Sequence, residues 1–101
     1  MKLPALATAI ALAVSACTPA LAADDLCTTA SLLAERVMTE RQSGARVADV
    51  MDRGKENELY RTMVKQAFSE PLYRSVEYRQ RAVSEFANGW YLDCARYMET
   101  R

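Results

Sequence analysis

The sequence predicts an all-α domain: a small bundle of about four helices, the first and last antiparallel and joined by a disulfide. Apolar residues recur at spacings of three and four through most of the chain, and no strand-like alternation of useful length interrupts them. An export signal precedes the bundle, so its cysteines meet an oxidising compartment. Two of those cysteines, Cys27 and Cys94, lie near opposite ends of the remaining sequence, each on or beside the apolar face of its own segment.

The export signal reads from composition. Met1 and Lys2 form a short basic start, Leu3 to Val14 is an apolar run, and Ala20-Leu21-Ala22 is a small-x-small cleavage site before Ala23 and Asp24-Asp25. The run is about a dozen residues, against the roughly 20 that a spanning helix needs. Cleavage between Ala22 and Ala23 makes residues 1–22 a signal peptide and 23–101 one helical domain. Val14-Ser15-Ala16-Cys17 offers a competing route, a lipobox whose Cys17 becomes the acylated N-terminus. Pro19 separates the apolar run from the ordinary cleavage site and favours the soluble product. Both routes leave Cys27 and Cys94 to oxidise together.

A mature chain of about 79 residues sits where a hydrophobic core alone becomes marginal. A bridge closing the loop from Cys27 to Cys94 contributes about 4 kcal/mol in the chain-entropy model.

The first helix spans about Asp25 to Ser43, with Leu26, Ala30, Leu33 and Val37 as its stripe and Cys27, Ala34 and Met38 on the flank. Gly44 ends it. A short second helix covers about Ala45 to Asp52, carrying Val47, Val50 and Met51 before Gly54. The third starts at the cap Asn57, lines up Leu59, Met63 and Ala67 beside Tyr60, Val64 and Phe68, and stops at Pro71. The fourth runs from the cap Ser75 to near Met98. Its stripe is Val76, Val83, Phe86, Ala87, Trp90, Cys94, Tyr97 and Met98, with Gly89 as an internal cost of about 1 kcal/mol.

Chemistry is sparsely furnished. The chain has no histidine, which removes the commonest general base and metal ligand, and paired cysteines cannot ligate a metal or attack a carbonyl. The acids Asp49 with Asp52, and Glu56 with Glu58, resemble a hydrolytic carboxylate pair, but Asp49 to Arg53 and Glu77 to Arg81 carry the i,i+4 spacing of helix-surface ion pairs. No catalytic residue, cofactor or metal is expected. Losing Lys2 leaves about one net negative charge, which suits neither nucleic acid nor anionic lipid. The basic stretch Arg74, Tyr78, Arg79 and Arg81 is interrupted by Glu70, Glu77 and Glu85 and reads as a charged helix surface.

Two features call for partners. Arg41 continues the stripe of the first helix, so it either enters a buried ion pair with an acidic or carbonyl group, or snorkels past the stripe to the last helical carbonyls. Leu32, Tyr78 and Leu92 project away from the stripes of their helices and, if clustered, form a partner surface.

The combination of Val37-Met38 with Arg41-Gln42-Ser43-Gly44, Met63-Val64 with Ala67-Phe68 and Pro71, and Phe86 with Trp90-Tyr91-Leu92 and Cys94 resembles an uncharacterised family of small exported all-helical proteins from bacterial and phage genomes. The resemblance spans most of the mature chain and implies a helical exported domain; its positions are mainly packing and turn residues, so it carries over no catalytic residue. In architecture alone, the chain is similar to the HdeA-type periplasmic acid-stress chaperones, although cysteine spacing and sequence differ. The expected function is therefore non-enzymatic protein binding of a structural, inhibitor or immunity type, in the periplasm or secreted, with outer-membrane attachment if Cys17 is lipidated. An acid-activated chaperone is the alternative, and a histidine-free hydrolase the least favoured. Neither the partner protein nor the oligomeric state is legible.

Overall fold

The computed structural model describes residues 23–100. Residues 1–22, where the sequence predicts an export signal and which include Cys17 and Ala22, lie outside the described residues, and Ala23 opens the first helix. Four helices follow in order: α1 Ala23–Gln42, α2 Val47–Asp52, α3 Glu58–Phe68 and α4 Val76–Glu99. There is no strand among the described residues.

Helix α1 stops as its sequence dictates. Gly44 adopts φ 90°, its N–H donates to the Arg41 carbonyl at 3.1 Å, and the Ala45 N–H reaches back to the Glu40 carbonyl at 3.0 Å. This pair of reversed bonds is the Schellman arrangement, which needs a left-handed residue and satisfies the last carbonyls of the helix. Arg46 is extended, with φ −84° and ψ 136°, so α2 starts at Val47 and not at Ala45 as the sequence suggested. Asn57 and Ser75 cap α3 and α4, their side-chain oxygens accepting from the N–H groups of Tyr60 and Tyr78. Helix α4 runs unbroken through Gly89.

Packing centres on α1. It lies antiparallel along α4, as three cross-contacts demand: Cys27 is disulfide-bonded to Cys94 with Cα atoms 5.4 Å apart, the Ser31 hydroxyl donates to the Ala87 carbonyl at 3.2 Å, and Met38 shares a cluster with Ala82. Helix α3 packs on the C-terminal half of α1, and α2 closes against α3. The core accordingly gathers at that half: Ala34, Val37, Met38, Val50, Met63, Val64 and Ala67 are buried together, with Phe86 and Trp90 against them. Cys27 is also buried but stands outside this cluster. At the disulfide end α1 and α4 form a two-helix hairpin with no third helix over it among the described residues. Covalent linkage there does what burial does at the other end.

This uneven coverage corrects the expected stripes. In α1 the buried face is Cys27, Ala34, Val37 and Met38, whereas Leu26 is 47% exposed; the flank of the predicted stripe is its centre. In α3, Leu59 is exposed while Met63, Val64 and Ala67 are buried. In α4, Val76 and Tyr97 are exposed although both fall on the predicted stripe.

Candidate functional site

The segment joining α3 to α4 is held by side chains reaching for its main chain. Gln42, at the last turn of α1, is the one buried polar side chain in the described residues, 4% exposed. Its Nε2 donates to the Pro71 carbonyl at 2.8 Å, and its Oε1 accepts from the Tyr73 N–H at 2.9 Å. A primary amide carries both a donor and an acceptor, so one side chain satisfies two main-chain groups two residues apart, as a neighbouring strand would. Proline suits the first position because it brings a carbonyl and no N–H. Arg79 adds a bond from Nε to the Tyr73 carbonyl at 2.7 Å.

Arg41 completes the latch and settles its own question. It is half-buried, and its Nε and Nη2 both donate to the Glu70 carbonyl, at 3.0 and 2.9 Å. Its guanidinium lies over the Phe68 ring, 5.4 Å from the centroid. Of the acidic and carbonyl partners the sequence allowed, Arg41 takes the carbonyl, with an aromatic face beside it. The sequence pattern Arg41-Gln42-Ser43-Gly44 and the distant Pro71 thus meet in one structure.

With the segment after its C-terminus held by this latch and its body on α1, α3 leaves a groove of about 510 Å³ between itself and α4. Met38 of α1 lies at its floor, Gln66 of α3 and Glu70 of the segment that follows it form one wall, and the α4 wall carries Tyr78, Arg81, Glu85, Phe86, Gly89, Trp90 and Asp93, with Tyr73 at the end. Trp90 spans the gap, its Nε1 donating to Gln66 Oε1 at 3.1 Å. The Tyr73 and Tyr78 rings stand 6.1 Å apart, and the Arg81 guanidinium covers the Tyr78 face at 5.5 Å. The wall is therefore aromatic below and charged above.

Comparison with protein families, curated proteins and solved structures yields no match.

Of the three residues expected to make a partner surface, all are exposed, and Tyr78 is the one that lines the groove. Leu92, fourteen residues further along α4, is about 21 Å away along the axis and outside the groove lining. Leu32 belongs to α1. The acids weighed for hydrolysis are all exposed; Asp52 pairs with Lys55 at 3.3 Å, and no group of three metal-ligating side chains occurs among the described residues. Arg53 bonds to Glu40 of α1 at 2.6 Å in preference to Asp49 one turn away. The basic stretch is divided between the latch, through Arg79, and the groove, through Arg81. No helix of the described residues is long and apolar enough to cross a membrane.

Sequence periodicity missed Gln42 and the groove. Gln42 carried a signal, since it follows Met38 at i+4 on the face that is buried. The groove carried none, because the angle between α3 and α4 is set by packing and by the latch.

One further hydroxyl is tuned by the fold. Tyr60 donates to the Val50 carbonyl at 2.7 Å, tying α3 to α2. Burial raises its pKa above the ordinary tyrosine value, with the nearby Arg53 opposing the shift.

Proposed function

We propose that this chain is an exported protein-binding module with a structural or modulatory role, acting without catalysis, and that the groove between α3 and α4 is its working face. The reading is supported by one observation above others: a groove lined by Tyr73, Tyr78, Phe86 and Trp90 stands open although the molecule is small and has few aromatic residues. Aromatic and arginine side chains around a partly apolar floor are the composition of binding hot spots. The disulfide and the signal-like segment fit export to a periplasm or beyond. An acid-activated chaperone finds less support, because the latch joins guanidinium and amide groups to main-chain atoms, none of which titrates in mild acid.

The test uses Gly89, which lies in the groove and whose added Cβ would meet nothing within 4 Å. Gly89→Trp fills the groove and leaves the core alone. Partners retained from the native exported fraction by the wild-type protein should be lost by the variant, with both showing the same helical circular dichroism. Retention of the same partners by both would overturn the groove as the binding face.

A further inference from the structure

Resting on the reading of the groove as a protein-binding face, we infer that its occupant is a basic amphipathic helix of a partner protein. The charge around the groove is unequal. Glu70, Glu85 and Asp93 face Arg81 alone. Arg81 is already placed over the Tyr78 ring, and Asp93 is bonded to Arg96 at 3.1 Å, whereas the Glu70 and Glu85 carboxylates, one on each wall, have no ion-pair partner among the described residues. A cationic side chain entering here finds two carboxylates able to accept charge-assisted hydrogen bonds and aromatic faces that attract a cation. An acidic segment meets the same carboxylates as repulsion, so the groove also discriminates.

Length and shape point to a helix. From Tyr78 to Asp93 the α4 wall runs about 22 Å, the span of about four helical turns at 1.5 Å per residue. The groove lies between two helices that both pack on α1, so a third helix laid into it completes a bundle, its apolar side chains meeting Met38, Phe86 and Trp90 while its basic flanks reach Glu70 and Glu85.

The test is a titration of the mature, disulfide-intact protein, labelled for amide NMR, with two synthetic peptides of about 16 residues: an amphipathic leucine–lysine helix and its leucine–glutamate counterpart. The lysine peptide should shift the amides of Arg81, Glu85, Gly89 and Trp90, saturate, and weaken as salt is raised. The double variant Glu70→Gln with Glu85→Gln alters only exposed side chains, so it keeps the fold, and should weaken that binding about ten-fold. Tighter binding of the glutamate peptide in the groove, or lysine-peptide binding that the double variant leaves unchanged, would overturn the basic partner while sustaining a binding groove. Shifts confined to other faces with every peptide would overturn the groove itself.

Discussion

The side-chain amide of Gln42 grips Pro71 and Tyr73 as a strand edge would, accepting from one and donating to the other across 2.9 and 2.8 Å. This buried contact ties the segment between α3 and α4, whose Tyr73 borders the groove, to the last turn of α1. Gln42→Leu keeps the volume but orphans a carbonyl and an N–H in a part-buried site, each costing about 1–3 kcal/mol. The expected outcome is a loss of about 2–4 kcal/mol in urea unfolding. Unchanged stability would mean that water replaces the amide without cost.

Gln42→Glu gives the same contact a pH signature. The carboxylate still accepts from Tyr73 but opposes the Pro71 carbonyl, so burial and repulsion favour the protonated acid and raise its folded pKa above the unfolded value of about 4.3. A raised pKa makes the contribution complete below the unfolded pKa and lost as pH rises through the folded one. The variant should therefore be closest to wild type near pH 3 and fall behind by pH 7, the reverse of an ordinary acid-labile carboxylate. Thermal melts across that range decide it.

These polar contacts mark what was legible in the sequence and what was not. Asn57, Ser75 and Gly44 announce their helix boundaries because capping is local chemistry. The meeting of Cys27 and Cys94 follows from two helices whose apolar faces each carry one thiol. The stripes failed at Leu26, Val76 and Tyr97, since periodicity says which side of a helix is apolar and not how far a neighbour extends along it. The eleven-residue α3 covers only part of the hairpin made by the longer α1 and α4. Leu32, Tyr78 and Leu92 were visible as outward residues, but only Tyr78 enters the groove, because the groove depends on the departure of α4 from α3.

Tyr60 supplies an alkaline counterpart. Its pKa is raised by burial, so its contribution is complete below about pH 10 and lost as pH climbs through the folded value, when the hydroxyl can no longer donate to Val50. Tyr60→Phe should cost about 1–2 kcal/mol at neutral pH and flatten the decline in stability above pH 10. An alkaline decline identical to wild type would assign it to the other tyrosines.

Reduction should act unevenly. The buried cluster lies at the α3 half of the hairpin, whereas the disulfide ties the half without a third helix. Cys27→Ser with Cys94→Ser is expected to lower stability by about 2–4 kcal/mol. In native-state hydrogen exchange, amides of residues 28–32 and 91–97 should lose protection before those of residues 63–67. Uniform loss would make the bridge a support for the whole domain.

Gly89 offers a gain. It sits inside α4 with open space where a Cβ would go, so Gly89→Ala should stabilise the helix by about 0.5–1 kcal/mol and raise the melting temperature by a few degrees. A loss of stability would show that the groove wall needs the glycine.

The groove as working face is tested most directly by contact. A photo-reactive side chain placed at Gly89 inside the groove, and separately at Leu92 outside it, is expected on irradiation in the native compartment to give a discrete protein adduct from position 89 alone. Equal adducts from both positions, or an adduct from position 92 alone, would contradict the account.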